Sequence, residues 1–228
     1  MAEPTKPNPL IELAITLLIP SLILMKFSGP EDLGALRALL LALAFPLFWG
    51  ARDLIGRHKL NYFALLGLVS ILLTGSIGLL ELDNKWLAIK EAAVPGLIGL
   101  VVAGSALTPK PLVRLLLYSP ALMNVEHIQQ QLDSRGNRLA FESRLRNATW
   151  MLSATFFFSS VMNYVLATWI VTSPAGTPAF NEELGRMNLV SYPMIALPAM
   201  AMMMAVLYYL VRSIRSLAGL PMAEALKH

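Results

Sequence analysis

The chain has 228 residues, 56% hydrophobic and 14% charged, with a formal net charge of +4 and no cysteine. Soluble globular domains carry about 25% charged residues, and a mean hydropathy of +0.61 points away from them, toward an integral membrane protein. The missing cysteines exclude disulfides, thiolate catalysis and cysteine metal sites.

A bilayer crossing needs about 20 apolar residues, so the chain reads as one all-α membrane domain over 1–228 with about six transmembrane helices. The N-terminal MAEPTKPNP is polar and proline-rich, and the first apolar run lacks a small-residue cleavage site, so no cleavable signal is expected. The first span is expected over 9–27, with Pro9 in its opening turn and Pro20 bending its outer half. A tight polar turn over 28–32 follows, then a second span over 33–49 with Pro46 near its end. Arg52, Asp53, Arg57, His58 and Lys59 form a short basic loop. The third span is expected over 60–80 and the fourth over 86–107. Residues 108–148 read as a cytoplasmic amphipathic loop within the domain, and the fifth span covers 149–171. A polar loop rich in Pro, Gly and Glu leads to the sixth, over 190–211.

The basic residues set the orientation. Lys6, the 52–59 cluster, the 110–146 loop, Arg212 and Arg215 fall on one side, while Glu31, Asp32, Glu81, Asp83, Glu182 and Glu183 fall on the other. The positive-inside rule then puts both termini in the cytoplasm. Tyr208, Tyr209 and Trp49 mark the inner interface on this reading, and Trp86 and Trp169 the outer one.

Within the long loop, PLVRLLLY over 111–118 fits a short interfacial helix. Leu122, Val125, Ile128 and Leu132 recur at helical spacing, and Ser134-Arg135-Gly136-Asn137 breaks that helix. A second helix begins near Arg138 and runs through Arg144 and Arg146 into the fifth span. Lys110, Arg114, Arg135, Arg138, Arg144 and Arg146, with Arg52, form a cytoplasmic basic surface. It reads either as a solvated connector or as a docking surface for anionic lipid headgroups or a partner's cytoplasmic part.

Catalytic patterns are missing. His58, His127 and His228 lie outside the spans, with no i, i+4 pair, no G-x-S-x-G elbow and no Walker loop. Gly104-Ser105 reads as helix packing rather than a nucleophile. The chain is therefore expected to be no enzyme and to need neither metal nor cofactor.

Ionisable groups inside spans are costly and serve as functional candidates. Lys90 lies one turn beyond Trp86 on the same face, and either snorkels to the outer rim or pairs across the bundle. Glu91 points about 100° away around the helix and cannot share all of the lysine's partners: facing lipid it would be protonated, and facing the bundle Arg37 or Lys26 could neutralise it. Ala92, Gly96, Gly99 and Ala103 form a small-residue face for close helix approach, and Pro95 is expected to kink that helix. Asn163 and Tyr164, midway along the fifth span, read as interhelical glue or a substrate contact. Glu12 is expected at the inner interface, and Met200 to Met204 supply an adaptable apolar surface.

Three stretches carry a family resemblance: DNKWLAIKEAAVPGLIGLV ending in TPKPLVRLLL, RLRNATWMLSATFFFSSVMNYVLATW, and FNEELGRMNLVSYPMIALP. Together they resemble the intracellular septation protein A family and its longer relatives. The likeness covers most of the chain from about Arg52 onward, and the 118–142 loop is longer than in the family's shorter members. The resemblance implies a multi-pass bacterial inner-membrane protein of envelope maintenance and septation, in contact with division and elongation proteins. It carries no catalytic residues. The expected partners are membrane lipids, other envelope or division membrane proteins and further copies of the chain, with no nucleic acid. The competing expectation is a small transporter or lipid flippase with an anionic path near Lys90, Arg37 and Asn163.

Overall fold

The computed structural model describes residues 14–56, 62–118 and 123–221, and the side chains at 49–56 and 62–68 lie outside that description. Among the described residues the chain is all-helical, with no strand. A π-helical turn over Ala14–Leu18 leads into α1 (Ile19–Lys26), followed by α2 (Gly34–Gly56), α3 (Tyr62–Leu79) and α4 (Asn84–Ala106). Next come α5 (Leu112–Leu116), α6 (Val125–Ser134) and α7 (Arg138–Ile170). After α8 (Pro178–Ser191), a π-helical turn over Tyr192–Ala196 joins α9 (Leu197–Ala218). Asn84–Ala106, Arg138–Ile170 and Pro178–Ala218 are long and apolar enough to cross a membrane, and Ala14–Lys26, Gly34–Phe48 and Val69–Leu79 are shorter apolar helices. This set is compatible with a membrane bundle.

The chain divides into two compact units, residues 1–92 with 162–194, and residues 93–161 with 195–228. In the first, α1 packs on α2 and α8, and α2 packs on α3. Leu24, Leu39, Ile77, Leu87, Phe180 and Leu184 fill its core. A polar loop is the sequence expectation ahead of residue 190, but 178–191 is helical. Thr177 caps it by accepting from the Phe180 amide at 3.2 Å, Pro178 opens its first turn, and Phe180, Leu184 and Met187 bury one stripe. Its charged residues sit on the other faces, which is why the segment looks like a loop by composition. Gly185 permits the close approach: a Cβ there would meet the Ser21 carbonyl oxygen at 2.7 Å.

The second unit is built around Val102, Val113, Ile128, Leu132, Phe141, Leu145, Leu210 and Ile214. Here the small-residue face of α4 meets α7 as expected. A Cβ on Gly96 would lie 3.0 Å from Ser160 Oγ, and one on Gly99 would lie 3.2 Å from Phe156 Cβ. Ser153 Oγ then donates to the Gly99 carbonyl at 2.9 Å. Gly104 meets nothing within 4 Å, so packing is not its role. Ser105 Oγ instead donates to the Val102 carbonyl and accepts from the Leu112 amide at 3.0 Å, which fixes the turn from α4 into α5.

The loop elements follow the sequence pattern. α6 buries Ile128 and Leu132, Gly136 takes a left-handed φ of 67° at the break, and α7 runs unbroken for 33 residues from Arg138. Asn137 Nδ2 donates to the Leu217 carbonyl at 2.8 Å, tying the start of α7 to the end of α9.

Candidate functional site

Lys90 lies on α4 with its side chain 9% exposed. Its ammonium donates to Glu91 Oε1 at 2.5 Å, to Thr74 Oγ1 at 2.7 Å and to Ser70 Oγ at 3.4 Å. Thr74 Oγ1 spends its own proton on the Ser70 carbonyl, 3.1 Å away, which leaves its lone pairs for the lysine. An ammonium has three protons, and here each has an acceptor. The arrangement ties α3 to α4 with a charge pair among apolar residues.

Two open readings are narrowed here. Lys90 turns toward α3 instead of snorkelling to the rim. Glu91 takes its own chain neighbour as partner, neither Arg37 nor Lys26: the four-carbon lysine stem is long enough to bend back and close the 100° between them. Arg37 and Lys26 are both exposed. Trp86 is 51% exposed. Asn163 is half-buried and Tyr164 is exposed. Glu12 lies outside the described residues, as do the side chains of Arg52 and Asp53 and all of 57–59.

The first unit also holds a polar clamp that the sequence reading missed. The Glu183 carboxylate accepts from the Thr172 and Ser173 amides, each at 2.8 Å, and from both of their hydroxyls. Burial pushes its carboxyl up, but these hydrogen bonds from Ser173 and Thr172 outweigh that and hold it below the usual value. Asn84 Nδ2 grips the same segment from the other side, donating to the Val171 and Ser173 carbonyls at 3.2 and 2.7 Å. Asn181, almost fully buried, donates to Ser28 Oγ and to the Ala35 carbonyl. The signal for this pair was an amide and a carboxylate two residues apart on one amphipathic helix.

The expected basic surface belongs to the second unit, apart from Arg52. Lys110, Arg135 and Arg146 are exposed. Arg144 is also exposed and stacks over Tyr209, 5.9 Å from the ring centre, while its guanidinium donates to the same phenol. Arg138 pairs with Asp133 at 3.4 Å on the surface. Arg114 is half-buried and salt-bridged to Glu142, which ties α5 to α7. Beside that pair, Tyr118 stacks edge-on against Phe141 at 5.1 Å. Burial pushes its phenol up to about 12, with Arg114 pulling down and Glu142 pushing up.

The described residues form an all-helical protein whose long apolar helices suit a membrane and whose Lys90 is paired with Glu91. No protein-family model, curated protein or solved structure matches the chain. Among the described residues no cluster of His, Asp and Glu could hold a metal ion.

Proposed function

We propose that this chain is a non-enzymatic, multi-pass protein of the bacterial inner membrane, acting in envelope biogenesis and septation. It works through contacts of its helices and its basic loop with other envelope and division membrane proteins. Six spans with both termini in the cytoplasm complete the reading, and the arginines at the start of α7 then face the cytoplasm. One observation carries it: Lys90, the strongest candidate for a substrate contact, commits all three donors to Glu91, Thr74 and Ser70. A group so engaged holds helices together, and the exposed apolar faces and the arginines of α7 remain for partners. The process itself comes from the three-part sequence resemblance. The test is co-purification of the tagged chain from gently solubilised native membranes. Recovery of envelope or division proteins supports the reading, and recovery of none removes it.

A second reading, a small transporter or lipid flippase, is favoured by the burial of Lys90 beside Glu91. An anionic substrate would displace the Glu91 carboxylate from the ammonium. Reconstituted vesicles test it: lipid or anion movement that is lost in Lys90→Met would establish transport, and its absence in the unaltered protein would end the idea.

A further inference from the structure

The second unit carries a groove of about 1150 Å³ along α9 that no part of the foregoing site uses. Small-molecule pockets span roughly 300–1,000 Å³, so the groove exceeds them. Its floor is apolar, from Leu117, Met123, Met204, Leu207 and Val211, and its end carries Arg212 and Arg215. No carboxylate lines it among the described residues. Arg212 Nη1 donates to Tyr208 Oη at 3.4 Å, which keeps the guanidinium at the groove. From Met204 to Arg215 the helix rises about 16 Å, close to one leaflet of a hydrocarbon core about 30 Å thick.

We propose that this groove seats one anionic phospholipid, its acyl chains along Met204, Leu207 and Val211 and its phosphate between Arg212 and Arg215. An apolar trough of one-leaflet depth with two cations at its end is complementary to a lipid with a charged head. Basic pockets at the ends of membrane helices bind such headgroups through charge. Methionines suit the floor because an unbranched, polarizable side chain fits acyl chains of varied shape. The proposal rests only on membrane residence and is independent of any protein partner.

The test is native mass spectrometry of the purified, delipidated full chain with phosphatidylglycerol or phosphatidylcholine added. Retention of phosphatidylglycerol over phosphatidylcholine is expected. Arg212→Gln with Arg215→Gln should lower phosphatidylglycerol affinity about thirtyfold, five- to sixfold per arginine. Leu207→Trp, which fills the floor and leaves both arginines in place, should lower the affinity for both lipids. Equal retention of the two lipids by the unaltered chain overturns the proposal, as does an undiminished preference in the double variant. Glycerol phosphate competing as well as intact lipid would show a bare phosphate site and also overturn it. Dimers that disappear in Leu207→Trp, with no lipid bound to the unaltered chain, would assign the groove to a second copy. Matched melting curves confirm that the variants fold.

Discussion

The Lys90 ammonium lies 2.5 Å from the carboxylate of the next residue, Glu91, with the two side chains 9% and 23% exposed. Removing one member of a buried pair strands the other charge, whereas removing both does not. Lys90→Met should therefore cost on the order of 3 kcal/mol, and Lys90→Met with Glu91→Gln should cost clearly less. Denaturation in matched detergent micelles measures the cycle. If the double variant were as unstable as the sum of the singles, the two charges would not be coupled.

Gly185 and Gly104 make a paired test of close packing. A Cβ at Gly185 collides with backbone, Ser21 O at 2.7 Å, and with Met25 Cγ at 2.9 Å. Backbone cannot swing aside, so Gly185→Ala should destabilise by about 2 kcal/mol through overpacking of α8 on α1. Gly104 faces open space in α4, and Gly104→Ala should be neutral or stabilising by up to about 1 kcal/mol. Thermal melts of the two variants should shift in opposite directions or by clearly different amounts. Equal shifts would mean that α8 does not lie on α1 as described.

Much of this architecture was legible because its signals are local. The break at Gly136, the start of α7 at Arg138 and the small face at Gly96 and Gly99 each follow from residue type and spacing. α8 was missed because Asn181, Glu182, Glu183 and Arg186 outweigh Phe180, Leu184 and Met187 in composition, although the latter sit at i, i+4 and i+7. The Lys90–Glu91 pair was missed for a different reason: helical geometry separates adjacent residues, and only a flexible lysine stem closes the gap. Arg114 could not be distinguished from the exposed arginines, since its partner Glu142 lies 28 positions away. Pairings of that range depend on how helices dock, which one sequence does not encode locally.

The Glu183 clamp should respond to acid. Glu183 lies ahead of the apolar part of its helix, and its folded carboxyl sits below the ordinary value of 4.5. A depressed carboxyl adds stability that is fully present above the unfolded value and is lost as pH falls through the folded one. The Thr172–Ser173 segment should loosen below about pH 4.5, and Glu183→Gln should abolish that acid dependence. At neutral pH, amide hydrogen exchange at Thr172 and Ser173 should be faster in Glu183→Gln, because the amide side chain is a weaker acceptor. Unchanged protection at both amides would remove the clamp from the account.

Tyr118 gives the opposite sign at the alkaline end. Its phenol is held at about 12, above the ordinary 10.0, because burial disfavours the phenolate. The neutral form contributes stability that is fully present below pH 10.0 and is lost as pH rises through about 12. Phenolate absorbance should therefore show one tyrosine titrating well after the exposed ones, and Tyr118→Phe should delete that late step. The same variant should keep the edge-on contact with Phe141 and lose only the hydroxyl's long 3.5 Å contact to the Val125 carbonyl. Its stability at neutral pH should thus change by less than about 1 kcal/mol, while its alkaline decline becomes shallower. Glu142→Gln offers a check on cause: removing the carboxylate should draw the late step earlier, since that charge opposes the phenolate and leaves Arg114 unpaired beside it. A late step that stays in place in both variants would assign it to another tyrosine and take the buried phenol out of the α5–α7 packing.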